Sequence, residues 1–392
     1  MMDTVALARS IGAAWICGDA GLWHVGPRER GHGLLAPPIL EESSAREIAR
    51  NVVRLRRASG LEVLPENPPA HVYLGRMHLC DYLALVAEAG DSGLLLDVAH
   101  LAVYQRVTRQ RAFERFEHLP FERIVELHVA GGTPFTWQGA EFVEDDHGVA
   151  VLPETWDFLD AVLERAPNLK AIVFECERNP IASVLPGFER IAAAFQRARP
   201  STRRARPREH GPADAPTPIV LRALQRTLFR MQVDAGFSRS ILARDPAALA
   251  SADLAPEEAS PLLALDPRSV GADRGGRRKQ QVLGNLLSEY GLSQAWCELH
   301  GRPASFSADF LSSAEFHQAL RSEGRLPIAF GRWLVRRAGE VGDDGFIALA
   351  GLESAMAAAR RARARAIEPP EGTIARSPLH SFLLAPRGTL EL

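Results

Sequence analysis

The sequence predicts an α/β protein, namely a TIM-type β/α barrel followed by a mainly helical C-terminal domain. Five short apolar runs in the first half alternate with helix-compatible segments or long loops, and this alternation is typical of a parallel sheet. The second half instead consists of helix-compatible segments separated by short breaks. Because a complete barrel has about eight strands, we expect the first strands of the barrel to precede residue 1.

Two neighbouring apolar runs define the centre of the predicted sheet. The first run covers residues 94–96 and is followed by Asp97, with His100 just beyond. The second run covers residues 124–127 and is followed by His128. Continuous apolar runs suit strands that are covered on both faces. Catalytic groups of β/α barrels lie at the carboxyl ends of the strands, so these polar residues are candidates for function. The alternative is that Asp97 caps the next helix and His128 is a hydrogen-bonded core residue.

The same pattern recurs along the chain. In LEVLPENPP the predicted strand ends at Glu66 and Asn67, and the two prolines that follow restrict the exit loop. The run AIVFE ends at Glu175. Between the fourth and fifth runs, a predicted long loop contains Asp145, Asp146 and His147 in the sequence DDHG. Polar side chains therefore follow several strands at the same predicted edge of the sheet.

Composition shifts divide the chain into three parts. We predict a β/α-barrel metal-binding domain over residues 1–199, a linker rich in Pro and Arg over 200–217, and a mainly helical domain over 218–392. Within the barrel we expect a helix at 109–118, between the third and fourth strands. The helical domain contains no motif that we associate with chemistry.

Bulk properties exclude several classes of protein. A net charge of -2 with 24% charged residues does not indicate a polyanion-binding protein, so nucleic acid is not an expected partner. The four cysteines are scattered without a CxxC pair, which argues against a disulfide framework or a zinc ribbon. The sequence has no signal peptide pattern and no apolar stretch of bilayer length. We expect a cytoplasmic protein without a membrane partner.

The residues at the strand and loop ends form a set suited to metal binding. Carboxylates and imidazoles are the ligands that iron, manganese and zinc take in proteins, and carboxylates can bridge two ions. Without a metal, the clustered carboxylates would repel one another and their pKa values would rise. Seven candidates are more than one ion requires and about right for two. The candidate ligands are Glu66, Asp97, His100, His128, Asp145, His147 and Glu175.

Five segments in this order resemble the multinuclear non-haem iron-dependent oxidase family, which includes the methanobactin-type oxazolone synthase. They are LEVLPENPP, GLLLDVAHL, ELHVAGG, DDHGVAVLPETW and VFECERN, and the resemblance covers about residues 10–195. It implies a β/α barrel with two or three iron ions and O₂ as co-substrate. It also implies oxidative modification of residues, typically cysteines, in a ribosomally made precursor peptide, often with a partner protein that presents the peptide.

Carried over by position, the resemblance makes all seven candidate ligands iron ligands. We assign catalytic roles to Asp97, His128 and Glu175, and we leave out Asp146 because it is the variable middle residue of its triplet. One departure is that Ala20, in the segment CGDAGLW, stands where the family has a histidine, although Asp19 is kept. A second family histidine would precede residue 1.

Two other functions use similar residues. One is a divalent-metal isomerase or phosphodiester hydrolase of the xylose-isomerase-like barrel type. The other is a non-catalytic scaffold that kept the fold. For residues 218–392, the position after a linker and the family's need for a partner suggest a fused domain that presents the peptide.

Overall fold

The computed structural model describes residues 2–21, 35–197, 219–302, 305–322 and 324–363, so the predicted linker lies outside the described residues. The described residues divide into two compact units. Among the described residues, the first unit comprises residues 2–21, 35–197, 219–225 and 249–274. The second unit comprises residues 226–248 and the described residues between 275 and 363.

The strands of the first unit are β1 (Trp15–Asp19), β2 (Ile39–Leu40), β3 (Glu62–Glu66), β4 (Leu74–Gly75), β5 (Leu94–Asp97), β6 (Ile124–Ala130), β7 (Gly132–Trp137), β8 (Ala140–Asp145) and β9 (Ala171–Glu175). β2 and β4 form a short parallel pair, and β7 and β8 form an antiparallel hairpin. The other five strands form a parallel sheet in the order β1-β3-β5-β6-β9. The five predicted strands are the five strands of this sheet, and with the helical C-terminal region they confirm the predicted fold class.

Helices flank the sheet and make up the second unit. They are α1 (Met2–Ser10), α2 (Glu42–Ser59), α3 (Leu79–Gly90), α4 (Val98–Thr108), α5 (Pro153–Leu163), α6 (Ile181–Arg197), α7 (Ile219–Val233), α8 (Ala235–Leu242), α9 (Pro246–Ser251), α10 (Ser260–Leu263), α11 (Pro267–Gly271), α12 (Arg277–Leu287), α13 (Gly291–Leu299), α14 (Ser305–Ala308), α15 (Ala314–Arg321), α16 (Leu326–Val341) and α17 (Asp344–Arg363). No helix in the described part of the chain has the length and apolar character that a bilayer crossing requires.

The core of the first unit lies between the sheet and its helices. The three leucines of β5, Leu94 to Leu96, are 0% exposed, as expected of a strand covered on both faces. Their neighbours in the core come from α3, α4 and α5 and include Tyr82, Leu101 and Phe158. The parallel register then aligns the strand ends, because Asp19 pairs with Glu66.

The helix predicted at 109–118 is wrong in position. α4 instead begins directly after Asp97, because the Oδ1 atom of Asp97 accepts the backbone N–H of His100 at 2.8 Å and caps the helix. The helix ends at Thr108, because the next residue, Arg109, has a left-handed backbone with φ 55°. His100 consequently lies on the first turn of a helix, next to the end of β5.

The long loop predicted after β6 is also wrong, since residues 132–145 form the β7–β8 hairpin. Gln138 and Gly139 have φ values of 48° and 75°, as a two-residue turn between twisted strands requires. The hairpin pairs Gly132 with Asp145, so it returns the chain from the end of β6 to the same edge of the sheet.

The second unit has an aromatic core of its own. Its fully buried side chains include Phe310, Phe330 and Trp333, which contact one another at ring-centroid distances of 5.0 to 5.6 Å. The carboxylate of Glu289 accepts hydrogen bonds from Arg361 at 2.8 Å near the end of α17. This unit therefore has both apolar packing and a buried ion pair to stabilise it.

Gly131 allows a close approach between the end of β6 and the loop after His147. A Cβ atom at Gly131 would lie 1.9 Å from the carbonyl oxygen of Gly148, so Gly131→Ala must displace that backbone. We expect the free energy of unfolding to fall by about 1–3 kcal/mol, as measured by urea denaturation. Gly18→Ala in β1 is the matched control, because its Cβ would meet no atom within 4 Å. Equal losses in the two variants would contradict this account.

Candidate metal centre

The sheet and the hairpin bring all seven predicted ligands into one cluster. Three imidazoles lie between the carboxylates. His128 Nδ1 is 3.2 Å from Glu66 Oε1 and 3.3 Å from Glu175 Oε1. His100 Nε2 is 3.1 Å from Asp145 Oδ2 and 3.5 Å from Asp97 Oδ2. His147 Nε2 completes the cluster at 3.4 Å from Glu175 Oε2.

Ligand atoms within this cluster group into three triads, each with its atoms within 4.8 Å of one another. The triads are Asp19, Glu66 and His100; Glu66, Asp97 and His128; and Asp97, His100 and Glu175. Glu66, Asp97 and His100 each belong to two triads, so the three groups overlap. Asp19, which the predicted ligand set omits, joins the cluster from the end of β1.

Two polar atoms at the centre of the cluster are buried without a hydrogen-bond partner among the described residues. They are Nδ1 of His128 and Oδ2 of Asp97, whose residues are 8% and 0% exposed. A buried polar atom without a partner is unfavourable by about 1–3 kcal/mol. A bound cation would remove this cost, because the Asp97 oxygen has lone pairs to donate and Nδ1 of His128 has one once its proton is displaced. The donor set therefore fits a metal ion.

Asn67 fixes the positions of two predicted ligands. Its side-chain amide accepts from the backbone N–H of Asp97 at 2.9 Å and donates to the Asp97 carbonyl at 2.8 Å. Nδ1 of His100 lies 2.7 Å from the Asn67 carbonyl, where it can donate only as an N–H. Nε2 of His100 is then left with the lone pair, as in a metal-ligating histidine held by an outer hydrogen bond. Sequence reasoning missed Asn67, although it directly follows Glu66.

Glu126 orients His128 from the opposite side. Its carboxylate lies 3.5 Å from His128 Nε2 and accepts a hydrogen bond of 2.6 Å from the indole N–H of Trp15. This pairing turns Nδ1 of His128 toward the cluster. Sequence reasoning missed Glu126 as well. The signal was present, because side chains two residues apart on a strand share a face.

Asp146 separates two predicted ligands, Asp145 at the end of β8 and His147 in the loop that follows. The side chain of Asp146 does not join the cluster, since its Oδ2 atom accepts from the hydroxyl of Thr133 at 2.7 Å. The loop thus directs Asp145 and His147 to the cluster and the residue between them to a different partner.

In the metal-free protein, bound protons on the carboxyl and imidazole groups reduce the net negative charge of the cluster. Burial raises the pKa of Asp19 to about 8 and that of Asp97 to about 7. Burial alone would lower the pKa of His128, but the surrounding carboxylates of Glu126, Glu175 and Glu66 outweigh it and raise the pKa to about 12. A metal ion that binds here must displace such protons, so its affinity will depend on pH.

His147 gives the metal-free protein a pH-dependent stability. The Asp145 carboxylate, 3.6 Å from His147 Nε2, raises the pKa of His147 to about 9, although burial opposes the shift, and the pKa of an unfolded histidine is about 6.5. The stabilisation is therefore complete below about pH 6.5 and is lost as the pH rises through 9. We expect the free energy of unfolding of chelator-treated protein to fall over this interval, and to fall less steeply in His147→Gln. Urea denaturation across the interval tests this, and identical slopes would contradict it.

Removal of the Asn67 amide should affect both stability and metal binding. Asn67→Ala deletes two buried hydrogen bonds to the Asp97 backbone, so we expect a loss of about 2–3 kcal/mol in the free energy of unfolding. Metal affinity should fall about 10- to 100-fold, as for other outer-shell partners, measured by Co²⁺ competition titration. Asn168→Ala, which removes one hydrogen bond at an exposed site, is the control. Wild-type metal affinity in Asn67→Ala would contradict the assignment.

Comparisons with known proteins match the part of the chain that contains this cluster. Residues 10–200 match the profile of a family described as the RiPP precursor modification enzyme MbnB/TglH/ChrH. All seven predicted ligands and the additional Asp19 lie within the matched segment.

Curated relatives match the same half of the chain. A UPF0276 protein of Neisseria meningitidis serogroup B is 29% identical over 181 residues, which are 44% of this chain and 62% of the relative. A UPF0276 protein of Anaeromyxobacter sp. is 27% identical over 194 residues, which are 49% of this chain and 66% of the relative. The chain thus spans less than two thirds of the length of these relatives. The recognition of the family from its motifs is confirmed over residues 10–200, which match the model of the RiPP precursor modification enzymes MbnB/TglH/ChrH.

Proposed function

We propose that this chain is an iron- and O₂-dependent oxidase that modifies residues, cysteine foremost, in a ribosomally synthesised precursor peptide. The observation that carries the proposal is the pair of buried, unpartnered atoms on His128 and Asp97 inside a carboxylate–imidazole cluster. The family description of the matched segment supports the peptide as substrate. Iron bound in this cluster would supply O₂ activation and a site for a soft substrate thiolate.

We propose two iron ions held by the seven predicted ligands, with Asp19 as a further ligand. The overlap of the three triads supports two neighbouring positions that share carboxylates. The neighbouring Ala20 cannot replace the histidine of the family, because a methyl group offers no lone pair. The backbone N–H of Ala20 donates to the carbonyl of Glu66 at 2.8 Å, and this contact keeps Asp19 beside Glu66.

The ligand side chains differ in solvent exposure, and this difference supports an approach of the peptide from one side of the cluster. The side chains of Glu175 and His147 are both 22% exposed, whereas that of Asp97 is 0% exposed. We therefore propose that the peptide reaches the cluster beside Glu175 and His147. Asp97 and His128 would hold metal from the buried side, and Glu175 would be the catalytic carboxylate nearest the substrate.

The presenting role of residues 218–392 also stays a proposal. Residues 249–274 belong to the same compact unit as the sheet, so a deletion from residue 216 would remove part of that unit. The test must therefore use the full chain. A precursor peptide with a photoreactive residue should crosslink to the second unit if that unit presents it. Crosslinks confined to residues 35–197 would contradict this role.

Iron content tests the proposed centre directly. Protein purified without oxygen should contain about two iron ions per chain by elemental analysis. The variant Asp97→Ala, His128→Ala should lose this iron, because it deletes two central ligands. The variant Asp81→Ala, His118→Ala is the matched control, since it deletes an exposed Asp–His pair outside the cluster and should keep its iron.

Two outcomes would contradict the proposal. One is wild-type protein without iron, and the other is iron that persists in the Asp97→Ala, His128→Ala variant. Oxygen consumption with the precursor peptide provides a second readout. It should be lost in His128→Ala, and an unaffected rate would exclude a catalytic centre at this cluster.

A further inference from the structure

The loop that begins after Asp145 has a strained backbone at His147. His147 has φ 53°, a left-handed conformation that is unfavourable for a residue with a side chain. Such conformations persist only where the surrounding structure holds them. One contact is the hydrogen bond of 2.6 Å from the amide of Asn179 to the His147 carbonyl. A second set of contacts holds the residue before it.

Asp146 receives two donors on one carboxylate oxygen. Its Oδ2 atom accepts from Thr133 Oγ1 at 2.7 Å and from Arg274 Nη1 at 2.8 Å. The contact with Arg274 joins opposite charges and is therefore stronger than a neutral hydrogen bond. Because Asp146 lies between the two predicted ligands, a contact that fixes its side chain also restricts the backbone of both neighbours.

The chain around Arg274 is itself packed against the β7–β8 hairpin. Ala272 is fully buried and clusters with Ala140 and Phe142 of β8. His71 lies between the two segments, with Nε2 2.9 Å from the carbonyl of Val143 and Nδ1 3.3 Å from that of Ala272. Ala272 lies two residues before Arg274 and packs against the hairpin that ends at Asp145. This packing therefore fixes the position of Arg274.

We propose that Arg274 is a positioning residue for the metal centre, which acts through Asp146 to hold Asp145 and His147 in place. This inference rests on the proposed function. It assigns a role to a residue far beyond the predicted linker and outside the segment that matches the family, residues 10–200. The second half of the chain would then contribute to the centre without supplying a ligand.

Backbone hydrogen exchange of residues 145–148 in metal-free protein is the first test. In Arg274→Gln these amides should exchange at least about tenfold faster than in the wild type. Arg274→Lys should restore slow exchange, because Arg274 uses a single N–H group in this contact. Arg268→Gln is the matched control, since it removes an arginine that pairs with Asp266 within the same segment, and it should leave exchange unchanged.

Co²⁺ affinity, measured by competition titration, is the second test. Arg274→Gln should weaken binding about 10- to 100-fold, whereas Arg274→Lys and Arg268→Gln should bind like the wild type. If Arg274 acts through Asp146, adding Arg274→Gln to Asp146→Asn should cause no further loss.

The outcomes separate this inference from the proposed function. If the wild type binds no metal, the proposed function fails, and with it any role of Arg274 in metal binding. If the wild type binds metal but Arg274→Gln binds it equally well, the positioning role is overturned and the metal centre stands. Unchanged exchange at residues 145–148 in Arg274→Gln also overturns the positioning role.

Discussion

The burial of carboxylates beside imidazoles at one end of a parallel sheet is the constraint on which the rest of this structure depends. Asp97 is fully buried and Glu66 nearly so, and both face further acidic side chains. Like charges in a region of low polarity repel strongly, so such a cluster needs compensating positive charge. In the metal-free protein, protons on the carboxyl and imidazole groups supply it. A divalent cation compensates more charge and also satisfies the unpartnered atoms.

Much of the surrounding structure serves to orient the members of this cluster. Asn67 fixes the backbone of Asp97 and one ring nitrogen of His100. Glu126 occupies the outer nitrogen of His128, and Trp15 in turn holds Glu126. These contacts select which atom of each imidazole faces the centre. Preorganisation of this kind matters because a ligand that is free to rotate loses conformational entropy when it binds a metal.

The sequence was informative wherever a short apolar run ended at a polar residue, since burial and topology then both place that residue at the edge of the sheet. It failed where a single side chain decides the local structure. The start of α4 depends on the cap made by Asp97, and the hairpin depends on the left-handed pair Gln138 and Gly139. The contact between Asp146 and Arg274 joins residues 128 positions apart, and no local pattern predicts such a pair.

The central claim is that the unpartnered atoms of His128 and Asp97 face a metal ion. Anomalous X-ray scattering, measured above and below the iron absorption edge on crystals grown without oxygen, tests it most directly. The account predicts iron peaks about 2.0–2.3 Å from Nδ1 of His128 and from a carboxylate oxygen of Asp97. The absence of an iron peak, together with a His128 Nδ1 that donates a hydrogen bond to Glu66 or Glu175, would contradict it.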